Sequence, residues 1–485
     1  MDRSFTLWDA FAILRGMNAQ DPSTPVASDP AAALAPSEPA APAPAGRFAQ
    51  ALAHGLGAAV VMWALGYFAR LLAVEGAPAW AQPSAPLLLG VFLGVFLAAG
   101  YLAGRRGGVT VAAGAGALAA TVNLLVLGSL LKEADTAGKI GVALSVPFGA
   151  LVAAAAGALG RRSPRAPLIP AEVLHRLAWT TAGATAVLLF VGGLVTSKGA
   201  GLAVPDWPNT YTTNMFLYPL SRMTGGVYYE HAHRLFGALV GLATLTLGGY
   251  ALKASHGWVR RLALIAVPFV ILQGVLGGLR VTGTLTLTTD RELLSPQTAL
   301  ALVHGMTGQA FFCLLLAVVA MTSAPWRSAP PPERHPNAGF DQQLSLWLVG
   351  ILTVQLLLGS LVRHFHEGYS FHIGMAVLVL LVAGGGGLRA WGLYSERPVL
   401  PKVGSALGIL VGVQLFLGVG ALLTRHTADY PAWGVPLATL HQTIGALLLA
   451  LSVQLALWTR RLLEAIPIEE ELVPANETEP VGVSR

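Results

Sequence analysis

Apolar runs separated by short polar connections recur from residue 48 to residue 458, and each run is long enough to cross a bilayer. At 1.5 Å of rise per helical residue, about 20 mostly apolar residues traverse a hydrocarbon layer of roughly 30 Å. Such runs lie at Phe48–Val74, Leu87–Gly104, Val109–Leu131, Ile140–Gly160, Leu174–Thr196 and Val227–Leu252, then at Leu262–Leu279, Thr298–Met321, Leu344–Val362, Tyr369–Leu388, Val403–Leu423 and Val435–Trp458. The pattern predicts an all-α polytopic membrane protein of about 12 transmembrane helices. With 54% of its residues hydrophobic and 11% charged, the chain holds more apolar side chain than a soluble core buries, which excludes an ordinary soluble fold.

The ends differ from this body. Residues 1–46 are rich in Ala, Pro and Ser and are expected to form a disordered cytoplasmic leader, because such a composition buries too little apolar surface to offset the entropy of ordering. Residues 463–485 read as an acidic cytoplasmic tail. The net charge of +6 does not point to nucleic acid, because the basic residues are spread over alternate connections. Arg105 and Arg106, Arg161 to Arg165, Lys253 to Arg261, Arg327 and Arg334, Arg389 to Lys402, and Arg460 with Arg461 fall in every second loop. Positive charge stays on the cytoplasmic side, so those loops and both termini are expected there, in a bacterial cytoplasmic membrane. Cys313 is the only cysteine and lies in an apolar run, so it reads as a small core residue.

The last eight runs contain a repeat. His233, His304, His372 and His441 recur at intervals of 71, 68 and 69 residues, one on every second helix. The segments QGVLGGLRV at Gln273, QLLLGSLVRH at Gln355 and QLFLGVGALLTRH at Gln414 resemble one another. The core therefore reads as two pseudo-symmetric four-helix bundles, 166–330 and 336–462, preceded by an extra four-helix segment, 47–165. All four histidines fall about one to two turns inside the membrane from the same, extracytoplasmic side. One membrane histidine alone is more often a packing residue than a ligand. Four at matched depth point to metal or heme, since ionisable groups in spanning helices are costly and mark function. A heme between helices takes two imidazoles at one level, which pairs His233 with His304 and His372 with His441. Zinc is the competing metal, but it favours four clustered ligands at short spacing. His231 lies about 200° around the helix from His233, so the two cannot face one iron.

The halves differ chemically. Glu230 shares a helix face with His233, whereas the matching position before His372 is Tyr369. Glu230 is open to two readings, a catalytic carboxylate beside the first site or the partner of Arg234 four residues on. The first half also carries a long connection, VTSKGAGLAVPDWPNTYTTNMFLYPLSRMTGG, which could be a lid or an interfacial aromatic belt. Arg280, Arg363 and Arg425 end helices on the histidine side, where a guanidinium suits a porphyrin propionate or serves as a helix-end anchor.

Several of these segments carry a family resemblance: GGLVTSKGAGLAVPDWP from Gly192, NMFLYP from Asn214, GGVYYEHAHRLFG from Gly225, QGVLGGLRV, LALVHGMTGQAFFCLL around His304 and LATLHQTIGALLLA around His441. In them the chain resembles the heme A synthase family. The resemblance implies that the first half, with Glu230, His233, Arg234 and His304, takes heme O as substrate, with Glu230, His233 and His304 as its catalytic residues. It implies that the second half holds heme b through His372 and His441, with Arg363 and Arg425 near it. The implied reaction oxidises a porphyrin methyl to a formyl through successive hydroxylations and loss of water, giving heme A for terminal oxidases, with Glu230 assisting proton transfer or orienting the substrate. Ile373 departs from the arginine that many relatives carry after the third histidine, and the paired cysteines of some members are absent. The resemblance spans about 170–461 and leaves the first four helices outside it, as a dock for heme O synthase or oxidase assembly factors or as a plain membrane anchor. Neither the electron acceptor nor the oligomeric state follows from it. The alternatives are a di-heme b-type cytochrome that only carries electrons, and a heme transporter or chaperone.

Overall fold

In the computed structural model the described residues are 42–76, 82–283, 297–425 and 433–466, and most of them are helical. Most of the expected leader and tail lies outside these ranges. The edges inside them are tied down: the Ala45 amide donates to the Leu168 carbonyl at 2.7 Å, and Leu463–Ala465 forms a short parallel strand with Glu333–His335.

Eleven helices among the described residues are long and apolar enough to cross a membrane. They are α1 (Arg47–Val74), α2 (Ala85–Leu127), α3 (Thr136–Gly160), α4 (Pro170–Ser197), α5 (Gly225–Ala254), α6 (Gly257–Thr282), α7 (Thr298–Thr322), α8 (Ala338–Phe365), α9 (Tyr369–Leu393), α10 (Leu400–Arg425) and α11 (Gly434–Leu462). The chain is an all-α polytopic membrane protein. Exposed side chains such as Phe416 (81%) and Phe371 (75%) would be a liability in water and face hydrocarbon instead.

The eleven helices hold the twelve expected crossings, because α2 is a hairpin. Its 43 residues are twice a bilayer length, and Gly108 inside it has φ 77°, a conformation that L side chains rarely adopt. The packing shows the reversal. Gly100 and Gly104 lie against Ala153 and Gly157 of α3, whereas beyond the turn Ala112 lies against Gly157 and Gly116 against Gly149. The two arms of α2 therefore run in opposite directions along one α3 face. Small residues at these crossings let backbones touch, which in a bilayer supplies the van der Waals contact that hydrophobicity cannot.

The remaining helices form two four-membered rings. In the first, α4 packs on α5, α5 on α6, α6 on α7 and α7 back on α4. The second repeats this order with α8, α9, α10 and α11. The rings meet through α11 against α4 and α7, and through α8 against α7. The α1–α3 segment docks on the first ring, through α1 on α4 and α5.

Candidate functional site

Each of the four repeat histidines lies near the start of its helix, on α5, α7, α9 and α11, and all four starts are at one end of the rings, the end that carries residues 198–224. Each ring rests on a glycine of the preceding helix. A Cβ at Gly192, Gly277, Gly359 or Gly418 would meet Cε1 of His233 at 3.0 Å, His304 at 3.4 Å, His372 at 3.0 Å or His441 at 2.9 Å. The missing side chain is what lets the Cε1 side of the imidazole approach the neighbouring backbone this closely.

The same contact orients the ring. Nδ1 of His441 is 3.2 Å from the carbonyl of Gln414, one turn before Gly418. The Nδ1 atoms of His233, His304 and His372 are buried short of full hydrogen-bond geometry, turned toward the backbone of Leu188, Gln273 and Gln355. Those residues stand one turn before Gly192, Gly277 and Gly359, so the device occurs four times. At Gly192, Gly359 and Gly418 Nε2 is the ring nitrogen farther from the glycine, while at Gly277 the two nitrogens of His304 are nearly equidistant, at 3.8 and 3.9 Å. Nε2 of His441 also lies 3.4 Å from the Gln414 side-chain amide.

The structure brings the histidines together in the expected couples. The ring centroids of His233 and His304 are 6.2 Å apart with planes crossed at 87°, and those of His372 and His441 are 6.1 Å apart at 81°. An imidazole nitrogen ligates a metal at about 2.0–2.1 Å and lies roughly 1.1 Å from its ring centre, so two rings sharing one metal have centres about 6 Å apart. Both couples fit that spacing. Among the described residues no three His, Cys, Asp or Glu side chains cluster to hold a metal ion, so the donor set is one of imidazole pairs and does not match a clustered zinc site.

Only the first couple is covered by a folded loop among the described residues. Glu230 and Arg234 hold that loop. One Glu230 oxygen pairs with Arg234 Nη2 at 2.8 Å, and the other accepts the Val204 amide at 2.8 Å. Arg234 also donates to the carbonyls of Val204 at 2.9 Å, Asn209 at 2.8 Å and Asp206. Asp206 in turn accepts the amides of Tyr211 and Thr212, both at 2.8 Å. The Trp207 indole packs on Gly278, next to the glycine that seats His304, and the Arg280 guanidinium fills the space beside Gly201. His231 is buried and bonds Thr210 at 3.0 Å, so it fastens the loop and takes no part in the His233–His304 couple. Burial pushes the Tyr218 phenol, which packs on His231, above its ordinary value. Both oxygens of Glu230 are thus engaged in holding the loop, which is the ion-pair reading of that residue.

The other candidate residues divide. Arg363 reaches across to the first ring and donates to the Gly193 carbonyl and the Ser197 hydroxyl, both at 2.7 Å, so it pins the two rings together. The side chain of Arg425 lies outside the described residues. His54 bonds the Gln50 carbonyl at 2.8 Å and His175 the Thr322 hydroxyl at 3.0 Å, at the other end of the helices. The four glycines were not singled out in the sequence, although the Gln-x-x-x-Gly spacing at 273/277, 355/359 and 414/418 held the signal.

Residues 175–375 match the family described as cytochrome oxidase assembly protein. A curated heme A synthase from Dinoroseobacter shibae is 27% identical over 218 residues, covering 39% of this chain and 55% of that protein. The chain thus spans about half the length of this relative. The family match takes in Glu230, His233, Arg234, His304 and His372 with three of the four seating glycines, while His441 lies beyond it. Residues 175–375 are thus similar to the cytochrome oxidase assembly protein family, in line with the heme A synthase resemblance of the motifs they contain.

Proposed function

We propose that this protein is a heme A synthase, oxidising a methyl group of heme O to a formyl group at the first couple and holding heme b at the second. The observation that carries the reading is the asymmetry between two couples of nearly equal geometry. Spacings of 6.2 and 6.1 Å would suit a di-heme cytochrome equally, but a pure electron carrier has no use for a buried ion pair that, among the described residues, folds a loop over one site and not the other.

A heme iron bound at either couple supplies one-electron redox chemistry. The protein's own residues supply position. The glycine seats hold the imidazoles in place, so His233 and His304 would hold the substrate heme and His372 and His441 would hold the cofactor. The loop from Gly199 to Thr213 closes the first site to water, which protects a reactive carbon and strengthens the field of Arg234 and Arg280 nearby. Glu230 acts as a positioning residue, because it ties the loop amide of Val204 to Arg234 on the helix that carries His233. We place the protein in the bacterial cytoplasmic membrane, with the couples toward the extracytoplasmic side.

The test is expression with a heme O source, followed by chromatography and mass analysis of extracted hemes. Heme A or its hydroxylated precursor is the expected product. Bound heme with neither product would reduce the protein to a cytochrome.

A further inference from the structure

A cavity of about 510 Å³ lies where α1 and α2 meet α5, outside both couples. It falls within the roughly 300–1,000 Å³ of sites that hold small molecules. Half of its wall comes from the segment before residue 166, which the family match does not cover.

The walls are aromatic and ordered. Tyr67 and Tyr228 stack at 5.3 Å with planes 6° apart, and Phe236 meets both Tyr67 and Trp63 edge-on, at 5.7 and 5.8 Å. Polar groups converge on the same space. The Tyr67 hydroxyl is buried without a hydrogen-bond partner, on a residue only 6% exposed. The Asn123 amide oxygen accepts from the Trp63 indole at 3.1 Å, while its nitrogen finds only the Met62 sulfur at 3.4 Å, a weak acceptor. Arg70, one turn along α1 toward the loop end, lines the mouth and has no hydrogen-bond or ion-pair partner among the described residues.

Leaving donors unmatched in hydrocarbon is costly, so their convergence on one cavity points to a ligand that brings acceptors. We propose that this cavity binds a membrane-soluble prenylated quinone. A flat ring suits the stacked aromatic walls, ring carbonyls suit the Tyr67 hydroxyl and the Asn123 amide, and an apolar tail suits the opening to lipid. A phospholipid would place its phosphate at Arg70 but offer only an apolar acyl chain, without acceptors, to Tyr67 and Asn123. The inference rests on the oxidoreductase reading only for its purpose, since removing electrons from a methyl group requires an acceptor. Binding is measured without turnover, so failure of one reading is distinguishable from failure of the other.

The experiment uses full-length, heme-loaded protein in nanodiscs of phosphatidylcholine, titrated with decylubiquinone. Saturable binding is expected, weakened about fivefold or more by Tyr67→Phe and by Asn123→Leu, with the heme spectrum unchanged as the control for folding. A third variant, Gly66→Leu, projects into the cavity and should abolish binding. Binding that is absent, or that these three changes leave untouched, overturns the proposal. So does native mass spectrometry that finds phospholipid retained by wild type, lost in Arg70→Gln, and never displaced by decylubiquinone.

Discussion

A Cβ on Gly418 would sit 2.9 Å from Cε1 of His441, closer than the 3.4 Å that separates the equivalent atoms of Gly277 and His304. The four seats are therefore not equally tight, and the difference orders the response to a single added methyl. Gly418→Ala must displace the imidazole or the helix, whereas Gly277→Ala makes an ordinary van der Waals contact. We expect Gly418→Ala to lower heme b content or shift its absorption bands and Gly277→Ala to leave both couples loaded. Equal loss in the two variants would show that ring seating does not control ligation.

Removing the Glu230 carboxylate should release the loop rather than the heme. Glu230→Ala leaves the Val204 amide and the Arg234 guanidinium without their shared partner, and breaking a buried pair typically costs about 3–5 kcal/mol. Limited proteolysis should then cut within 199–213 faster than in wild type, and product should disappear while the heme spectrum persists. Glu230→Gln keeps an oxygen for the Val204 amide and should slow cleavage relative to the alanine variant. Normal turnover in Glu230→Ala would show that the loop clamp is dispensable.

The α1–α3 segment and the first ring are tied at the loop end by Glu75, which pairs with Lys198 at 2.7 Å and accepts the Tyr229 hydroxyl. Burial alone would push the Glu75 carboxyl up, but the Lys198 and Tyr229 hydrogen bonds outweigh it and the net value lies below the ordinary 4.5. A depressed acid stabilises the fold above its unfolded value and loses that contribution as pH falls through the folded one. The tie is thus intact above about pH 4.5 and fails only in more acidic solution. Glu75→Gln should remove it at neutral pH, seen as faster hydrogen exchange at the end of α1. Exchange unchanged from wild type at neutral pH would count against the tie.

The hairpin in α2 depends on glycine at its crossings. A Cβ on Gly104 would lie 2.4 Å from Gly157, with backbone on the far side and no flexible group to yield. Gly104→Val should cost at least the roughly 1–3 kcal/mol of an overpacked contact and lower the thermal midpoint of the detergent-solubilised protein. A midpoint equal to that of wild type would mean that the two arms do not pack on α3 as described.

Much of this architecture was legible in the sequence because a bilayer imposes a length on every crossing. The runs before Gly104 and after Val109 read as separate spans, and the structure keeps them separate by turning at Gly108. The histidine couples were legible through spacing, since a duplicated ring repeats its histidines. The seats were not, because a glycine in an apolar helix carries no mark until the ring that rests on it is known. Gly192 is harder still, since Leu188 stands where the other three seats have glutamine. Glu230 was undecided because an i, i+4 arginine says nothing of the second oxygen, which the Val204 amide takes from 26 residues away. The strand pair between Glu333–His335 and Leu463–Ala465 joins segments too far apart for any local pattern to show. The cavity lies beyond sequence reading for the same reason, since it exists only where α1 and α2 dock on α5.

The central claim is that imidazoles meet in couples across one iron. Electron paramagnetic resonance of the oxidised, heme-loaded protein tests it directly in a variant carrying both His233→Ala and His304→Ala, where only the second couple keeps its histidines. Planes crossed at 81° predict the highly anisotropic low-spin signal of perpendicular axial imidazoles, lost when His372 or His441 is also replaced. A high-spin signal from the otherwise intact second couple, or a low-spin signal that survives those replacements, would contradict the account.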